Sequence, residues 1–172
     1  MSEQAGPTTD PGFDAATEAQ FQDICSRYPN TRAALLPVLY LIQETRGYLS
    51  PASMEYVAHR LDLPPAKVLQ VATFYTMFHK KPAGTYHIEV CTSVPCCMMG
   101  GYGVLHQLEK KLGIKAGEVT ADRKFSLQEA ECLAGCGHAP LMQINSTYFE
   151  HLTPERIDEI LDGIDENKDL VK

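Results

Sequence analysis

The chain has 172 residues with an apolar fraction of 44%, enough for one ordinary domain or two small ones, each with a core. Its formal net charge is −7, with fourteen Asp or Glu against eight Lys or Arg in residues 83–172, and the absence of any basic stripe argues against nucleic acid or an anionic membrane surface as a direct partner. No apolar run approaches the roughly 18 residues of a membrane span, and the N-terminus lacks both the basic-then-apolar pattern of a secretory signal and the arginines of a transit peptide, so the chain reads as cytoplasmic.

Residues 1–12 read as a disordered tail. Residues 13–82 read as a helical bundle. A weak helix in "AATEAQFQDICSRY" is followed by a strongly apolar one in "NTRAALLPVLYLIQETRGYLS", with Asn30 near its start, Pro37 bending its early turns and Gly47 just past its end. "SPASMEYVAHRLDL" has Ser50 as N-cap, Pro51 at the first helical position, and Met54, Val57, Ala58 and Leu61 on one face. "PPAKVLQVATFYTMF" places Val68, Val71, Ala72 and Tyr75 at helical spacing. The aromatic stretch "FYTMFHKKP" is read as core packing rather than as a partner-facing element.

The pattern changes at the turn-rich joint Lys80 to Gly84. Residues 83–172 then give a strand from Tyr86 to Val90 running into Cys91, a helix with Leu105, Leu108 and Leu112 on one face, and a strand around Phe125 to Glu131. A hairpin in "LMQINSTYF" turns at Asn145-Ser146. A last helix is capped by Thr153 with Pro154 first, and has Ile157, Ile160, Leu161 and Ile164 as its core face. Its acidic end reads as a solvated face. The fold class is α+β: a helical bundle followed by a small sheet with helices packed on it.

The six cysteines are Cys25, Cys91, Cys96, Cys97, Cys132 and Cys136. In a reducing compartment clustered cysteines point to metal binding or catalysis rather than to disulfides. Cys91 and Cys96 form C-x4-C at a strand end, and Cys132 and Cys136 form C-x3-C in a glycine-containing loop, with 35 residues between the pairs. Four thiolates from two loops can meet at one site. Spacing alone leaves a tetrahedral zinc ion and an elongated [2Fe-2S] rhomb both open. The surrounding residues favour the rhomb: Gly100, Gly101, Gly103, Ala134, Gly135 and Gly137 allow backbone N–H groups to approach sulfur, and both loops lack charged side chains.

"CTSVPC" followed by "GG", then "ECLAGCGHAPLMQIN" and "YFEHLTPE", resembles the thioredoxin-like [2Fe-2S] subunit family of NADH dehydrogenase, the small iron–sulfur partner of the flavoprotein subunit in respiratory complex I. "ALLPVLYLIQETRGYLS" and "VATFYTMF" resemble that family's helical segment, and the match spans roughly residues 15 to 165. The resemblance implies a thioredoxin-like fold for residues 83–172, one [2Fe-2S] cluster held by Cys91, Cys96, Cys132 and Cys136, and electron transfer as the function. It also implies FMN and NADH on a partner subunit, further iron–sulfur subunits, and a peripheral place on a membrane-bound complex. Related modules serve NAD-reducing hydrogenases and NAD-dependent formate dehydrogenases. Such a chain is a redox subunit with no complete active site of its own.

Cys97 departs from the family pattern and reads as a bystander, and Cys25 as packing. His138 could suggest a Rieske centre, but no cysteine follows Cys136 to complete its second Cys/His pair, so His138 reads as a loop residue beside the site. "GGYGVLH" fails the dinucleotide-loop spacing at His106. Neither cysteine pair has the C-x-x-C of a thiol–disulfide oxidoreductase. A zinc-stabilised interaction domain and a soluble two-thiol redox protein remain as rivals of other classes.

Overall fold

In a computed structural model of the protein, residues 12–166 are described; the expected tail, apart from Gly12, and the last six residues lie outside that range. The chain divides into two compact units, Met1–Pro82 and Ala83–Lys172.

Among the described residues, four helices build the first unit: α1 (Ala15–Ser26), α2 (Leu35–Arg46), α3 (Pro51–Leu61) and α4 (Pro65–Phe74). Their boundaries have local causes. Asp14 caps α1 by accepting from the Thr17 N–H at 2.7 Å, and Ser50 caps α3 by accepting from the Ser53 N–H at 3.0 Å. Gly47 ends α2 with φ of 79°, a left-handed turn that glycine adopts without cost. Contrary to the sequence expectation, α2 starts at Leu35 rather than near Asn30, whose Oδ1 instead accepts from the Ala33 N–H in a preceding turn. Pro37 therefore sits in the first helical turn, where its missing N–H leaves no bond broken. Leu35, Val38, Leu39, Leu41 and Ile42 of α2 are buried against Phe21, Val57, Leu61, Val68 and Phe78.

The segment after α4 splits the expectation for the aromatic stretch. Phe78 is in the core, while Phe74 is 75% exposed. The Gln43 side chain holds this segment in place, donating to the Met77 carbonyl at 2.9 Å and accepting from the His79 N–H at 2.7 Å.

Arg60 ties α3 to α1. It donates to both carboxylate oxygens of Glu18 at 2.7 and 2.8 Å and lies 4.3 Å from the centroid of the Phe21 ring. The Arg60 hydrogen bonds pull the Glu18 pKa down to about 2. A carboxylate whose folded pKa is depressed stabilises the fold above its unfolded value and loses that contribution as pH falls through the folded value. Thermal melting temperatures of the wild type should thus fall between about pH 4.5 and about pH 2 by more than those of Glu18→Gln. Parallel melting curves for the two proteins across that window would remove Glu18 from the account.

The second unit contains β1 (Tyr86–Cys91), α5 (Val94–Met98), α6 (Gly101–Leu112), β2 (Phe125–Ala130), β3 (Met142–Ile144), β4 (Thr147–Phe149) and α7 (Pro154–Glu166). The sheet order is β2-β1-β3-β4, with β1 parallel to β2 and the other pairings antiparallel. A parallel neighbour requires a crossover, and α6 lies on that connection. The hairpin turns at Asn145, whose φ of 52° suits an Asn-containing tight turn. Thr153 Oγ1 accepts from the Arg156 N–H at 3.2 Å, as its capping position predicts.

Tyr86, Ile88 and Val90 of β1 share one face with Leu127, Met142 and Ile144, and these pack with Val104, Leu105 and Leu108 of α6 and Ile157, Ile160 and Ile164 of α7. Burying each large aliphatic side chain is worth about 1.5–3 kcal/mol. Because strand side chains alternate, Cys91 leaves β1 on the opposite face from Val90. It joins a separate small cluster with Cys96, Ala139 and Leu141.

Candidate metal centre

The site begins where β1 runs out. Cys91 is the last residue of the central strand, and its N–H donates to the Leu141 carbonyl at 3.2 Å. The next residue, Thr92, is pinned to Ala130 by its N–H at 3.0 Å and its hydroxyl at 3.3 Å. The chain then enters α5, a single-turn helix where the sequence leads one to expect loop, because its five residues are too few to show periodicity. Consecutive helical residues point about 100° apart. Cys96 consequently faces the interior and is fully buried, whereas Cys97 is exposed.

Gly101, the first residue of α6, makes this arrangement compact. A Cβ there would lie 2.9 Å from the carbonyl oxygens of both Cys91 and Cys96, so only glycine lets the helix start this close. Gly103, grouped with it from sequence, has nothing within 4 Å of its Cβ position.

The second cysteine loop meets the first through packing and one backbone bond. Leu141, whose carbonyl accepts from the Cys91 N–H at 3.2 Å, is buried with Cys91, Cys96 and Ala139, and the backbone of Leu133 and of Leu141 acts to lower the pKa of the Cys91 and the Cys96 thiol respectively. The Ala134 N–H donates to Cys132 Sγ at 3.3 Å, with Ala134 in the left-handed region at φ of 59°. The Leu133 side chain packs on the cluster of Cys91, Cys96, Ala139 and Leu141, and the Tyr148 hydroxyl donates to the Leu133 carbonyl at 3.0 Å. Cys132 and Cys136 themselves are exposed. The structure thus brings the two loops together, with one pair of thiols buried and the other on the surface. The residues that sequence reasoning missed are Ser93, Leu133, Leu141 and Tyr148. Their contributions are hydroxyls, backbone groups and apolar packing at positions set by the strand pairing and by the folds of the two loops, which leave no mark in residue spacing.

The electrostatics of the buried pair are unequal. Burial pushes the Cys91 thiol up, but hydrogen bonds from the Ser93 hydroxyl, the Leu133 and Ser93 N–H groups and Cys96 outweigh it, and the net shift is downward. Ser93 Oγ lies 3.4 Å from Cys91 Sγ. Cys96 is pushed up by burial and by the neighbouring Cys91. Cys91 is therefore the readier thiolate of the pair.

The donor set fits a two-iron cluster. Donors aimed at sulfur, an apolar wall of Leu133, Ala139 and Leu141, and two thiol pairs carried on separate segments are what such a cluster requires. Next to the site in the chain, Val94, Met98, Met99 and Tyr102 form an uncharged rim, with Met98 80% exposed. Among the described residues, no helix is long and apolar enough to cross a membrane.

A family model described as thioredoxin-like [2Fe-2S] ferredoxin matches residues 21–165. An NADH-quinone oxidoreductase subunit from Rickettsia bellii is 46% identical over 155 residues, covering 88% of this chain and 93% of that one. Its namesake from Mycobacterium tuberculosis is 40% identical over 154 residues, covering 90% of this chain and 61% of the relative. Among solved structures, an NAD+-reducing [NiFe]-hydrogenase in the air-oxidised state matches 77% of this chain with a TM-score of 0.66 and 25% identity. This chain spans only 23% of that hydrogenase chain.

Proposed function

Because this chain belongs to the thioredoxin-like [2Fe-2S] ferredoxin family, we propose that it is the electron-transfer subunit of an NADH:quinone oxidoreductase, seated beside a partner subunit that carries FMN and oxidises NADH. The observation that carries the site is the small apolar cluster of Cys91, Cys96, Ala139 and Leu141, with Leu133 packed on it and the Cys91 N–H donating to the Leu141 carbonyl at 3.2 Å, which draws the two cysteine loops together. Cys91, Cys96, Cys132 and Cys136 would hold the cluster, which when bound takes up and releases one electron at a time.

The protein's own residues set the conditions for that exchange. N–H groups directed at sulfur stabilise negative charge there, and Leu133, Ala139 and Leu141 keep water from the buried side. The exposed Cys132 and Cys136 and the rim of Val94, Met98 and Met99 give a partner an uncharged face to dock on. The Rickettsia bellii relative, nearly matched in length, supports the assignment to an NADH:quinone oxidoreductase, and a place on the peripheral part of a membrane-bound complex belongs to the same proposal. The likeness to the NAD+-reducing hydrogenase supports a second reading, the same module in an NAD-reducing hydrogenase.

Anaerobically purified protein should contain two irons and two acid-labile sulfides per chain and give an S = 1/2 EPR signal after dithionite reduction. Colourless protein with one zinc would overturn the assignment. The chains that copurify decide between the two complexes: a flavoprotein with membrane subunits supports the first, and a nickel–iron pair the second. Cys97→Ser should leave iron content and the EPR signal at wild-type levels, since on α5 the Cys97 side chain points about 100° away from that of Cys96, which is buried against Cys91. Loss of iron in that variant would place Cys97 among the ligands.

A further inference from the structure

Three side chains beyond the cysteines meet where the second cysteine loop passes the end of β4. His138 closes the short 3-10 turn Cys136–His138, and Glu150 and His151 lie between β4 and α7. His138 Nδ1 is 3.3 Å from His151 Nε2 and 3.4 Å from Glu150 Oε2. One ligand atom from each of the three lies within 4.8 Å of the other two.

These separations are long for hydrogen bonds, which for N–H···O contacts centre near 2.9 Å and for charge-assisted pairs near 2.7–2.9 Å. They match something else. Metal–ligand bonds of about 2.0–2.1 Å at tetrahedral angles set ligand atoms about 3.3–3.4 Å apart. Octahedral coordination at the same bond length would set them about 2.9 Å apart. Two imidazoles and a carboxylate with a fourth position open is a zinc donor set.

The backbone holds the three in place without any ion. The His151 N–H donates to the His138 carbonyl at 3.0 Å, the Leu152 N–H to the Pro140 carbonyl at 3.0 Å, and the His138 N–H to the Gly135 carbonyl at 2.9 Å. His151 adopts φ of 50°, in the left-handed region that histidine enters more readily than most side chains, and its ring meets that of His138 edge-on at a centroid distance of 5.2 Å. All three side chains are exposed, so an ion can arrive from solvent.

We infer that His138, Glu150 and His151 form a site for a zinc-class divalent cation, separate from the four cysteines, with its fourth coordination position taken by water. The test is calorimetric titration of zinc ion into the full chain with its cluster loaded, so that the cysteines do not compete. The wild type should bind one zinc per chain. His151→Asn, which keeps a residue tolerant of the left-handed turn, and Glu150→Gln should each weaken zinc binding roughly tenfold or more, with iron content and EPR signal unchanged. Failure of the loaded wild type to bind stoichiometric zinc, or wild-type affinity in both variants, would overturn the site.

Discussion

Cys96→Ser should yield a chain that retains almost no iron or acid-labile sulfide, and it should also be less stable than the wild type when both are metal-free. The two effects have different causes. Iron binding is lost because a serine hydroxyl does not replace a thiolate as a soft ligand. Stability falls because position 96 is fully buried among Cys91, Ala139 and Leu141, where a hydroxyl is a worse occupant than a thiol by about 1–3 kcal/mol. Cys91→Ser should behave alike. Cys132→Ser and Cys136→Ser should lose the cluster just as completely, yet leave metal-free stability unchanged, because both side chains lie at the surface. Denaturant unfolding of the metal-free variants together with iron and sulfide analysis measures both quantities. Rescue of Cys96→Ser by Cys97 would require α5 to rotate by about 100°. Full iron content in Cys96→Ser would therefore show that the ligand assignment, or the burial of Cys96, is wrong.

The second large effect concerns two glycines that look alike in the sequence. Gly101→Ala is expected to cost about 1–3 kcal/mol and to lower cluster occupancy, because the added methyl would sit 2.9 Å from two backbone carbonyl oxygens, those of Cys91 and Cys96. Neither carbonyl can retreat alone. Each belongs to a cysteine whose sulfur must keep its place, so relief at the backbone displaces the thiols. Gly103→Ala, two residues further along the same helix, meets nothing within 4 Å and should be neutral or stabilising by up to about 1 kcal/mol from its better helix propensity. Chemical denaturation and iron content of the two variants side by side provide the check. Equal behaviour would mean that α6 can slide away from the cysteines.

How far the sequence reveals this arrangement varies with the kind of signal involved. Helices with a long apolar stripe and a capping residue, such as α3 with Ser50 and α7 with Thr153, are legible because period and cap agree. The start of α2 is not legible: Asn30 closes a turn, and four further residues pass before helical bonding begins. The short α5 is invisible to periodicity, although it is what separates Cys96 from Cys97. The two cysteine pairs stand out by residue type and spacing. Their meeting, by contrast, depends on the register that sets Leu141 opposite Cys91 and on the fold of the 133–141 loop, which are properties of chain pairing. The cluster of His138, Glu150 and His151 depends likewise on a left-handed turn at His151, which the mild preference of histidine for that region is too weak to announce.

The methionines of the rim carry a liability of their own. Met98 and Met99 present their thioethers to solvent, and peroxide converts such groups to sulfoxides that are polar and chiral. A sample stored in air would in time grow a wetter, less adhesive face just where a neighbouring chain is expected to settle, even with every cysteine intact. Mass spectrometry of aged material, followed by repair with methionine sulfoxide reductases, would separate that slow chemical ageing from loss of the iron itself.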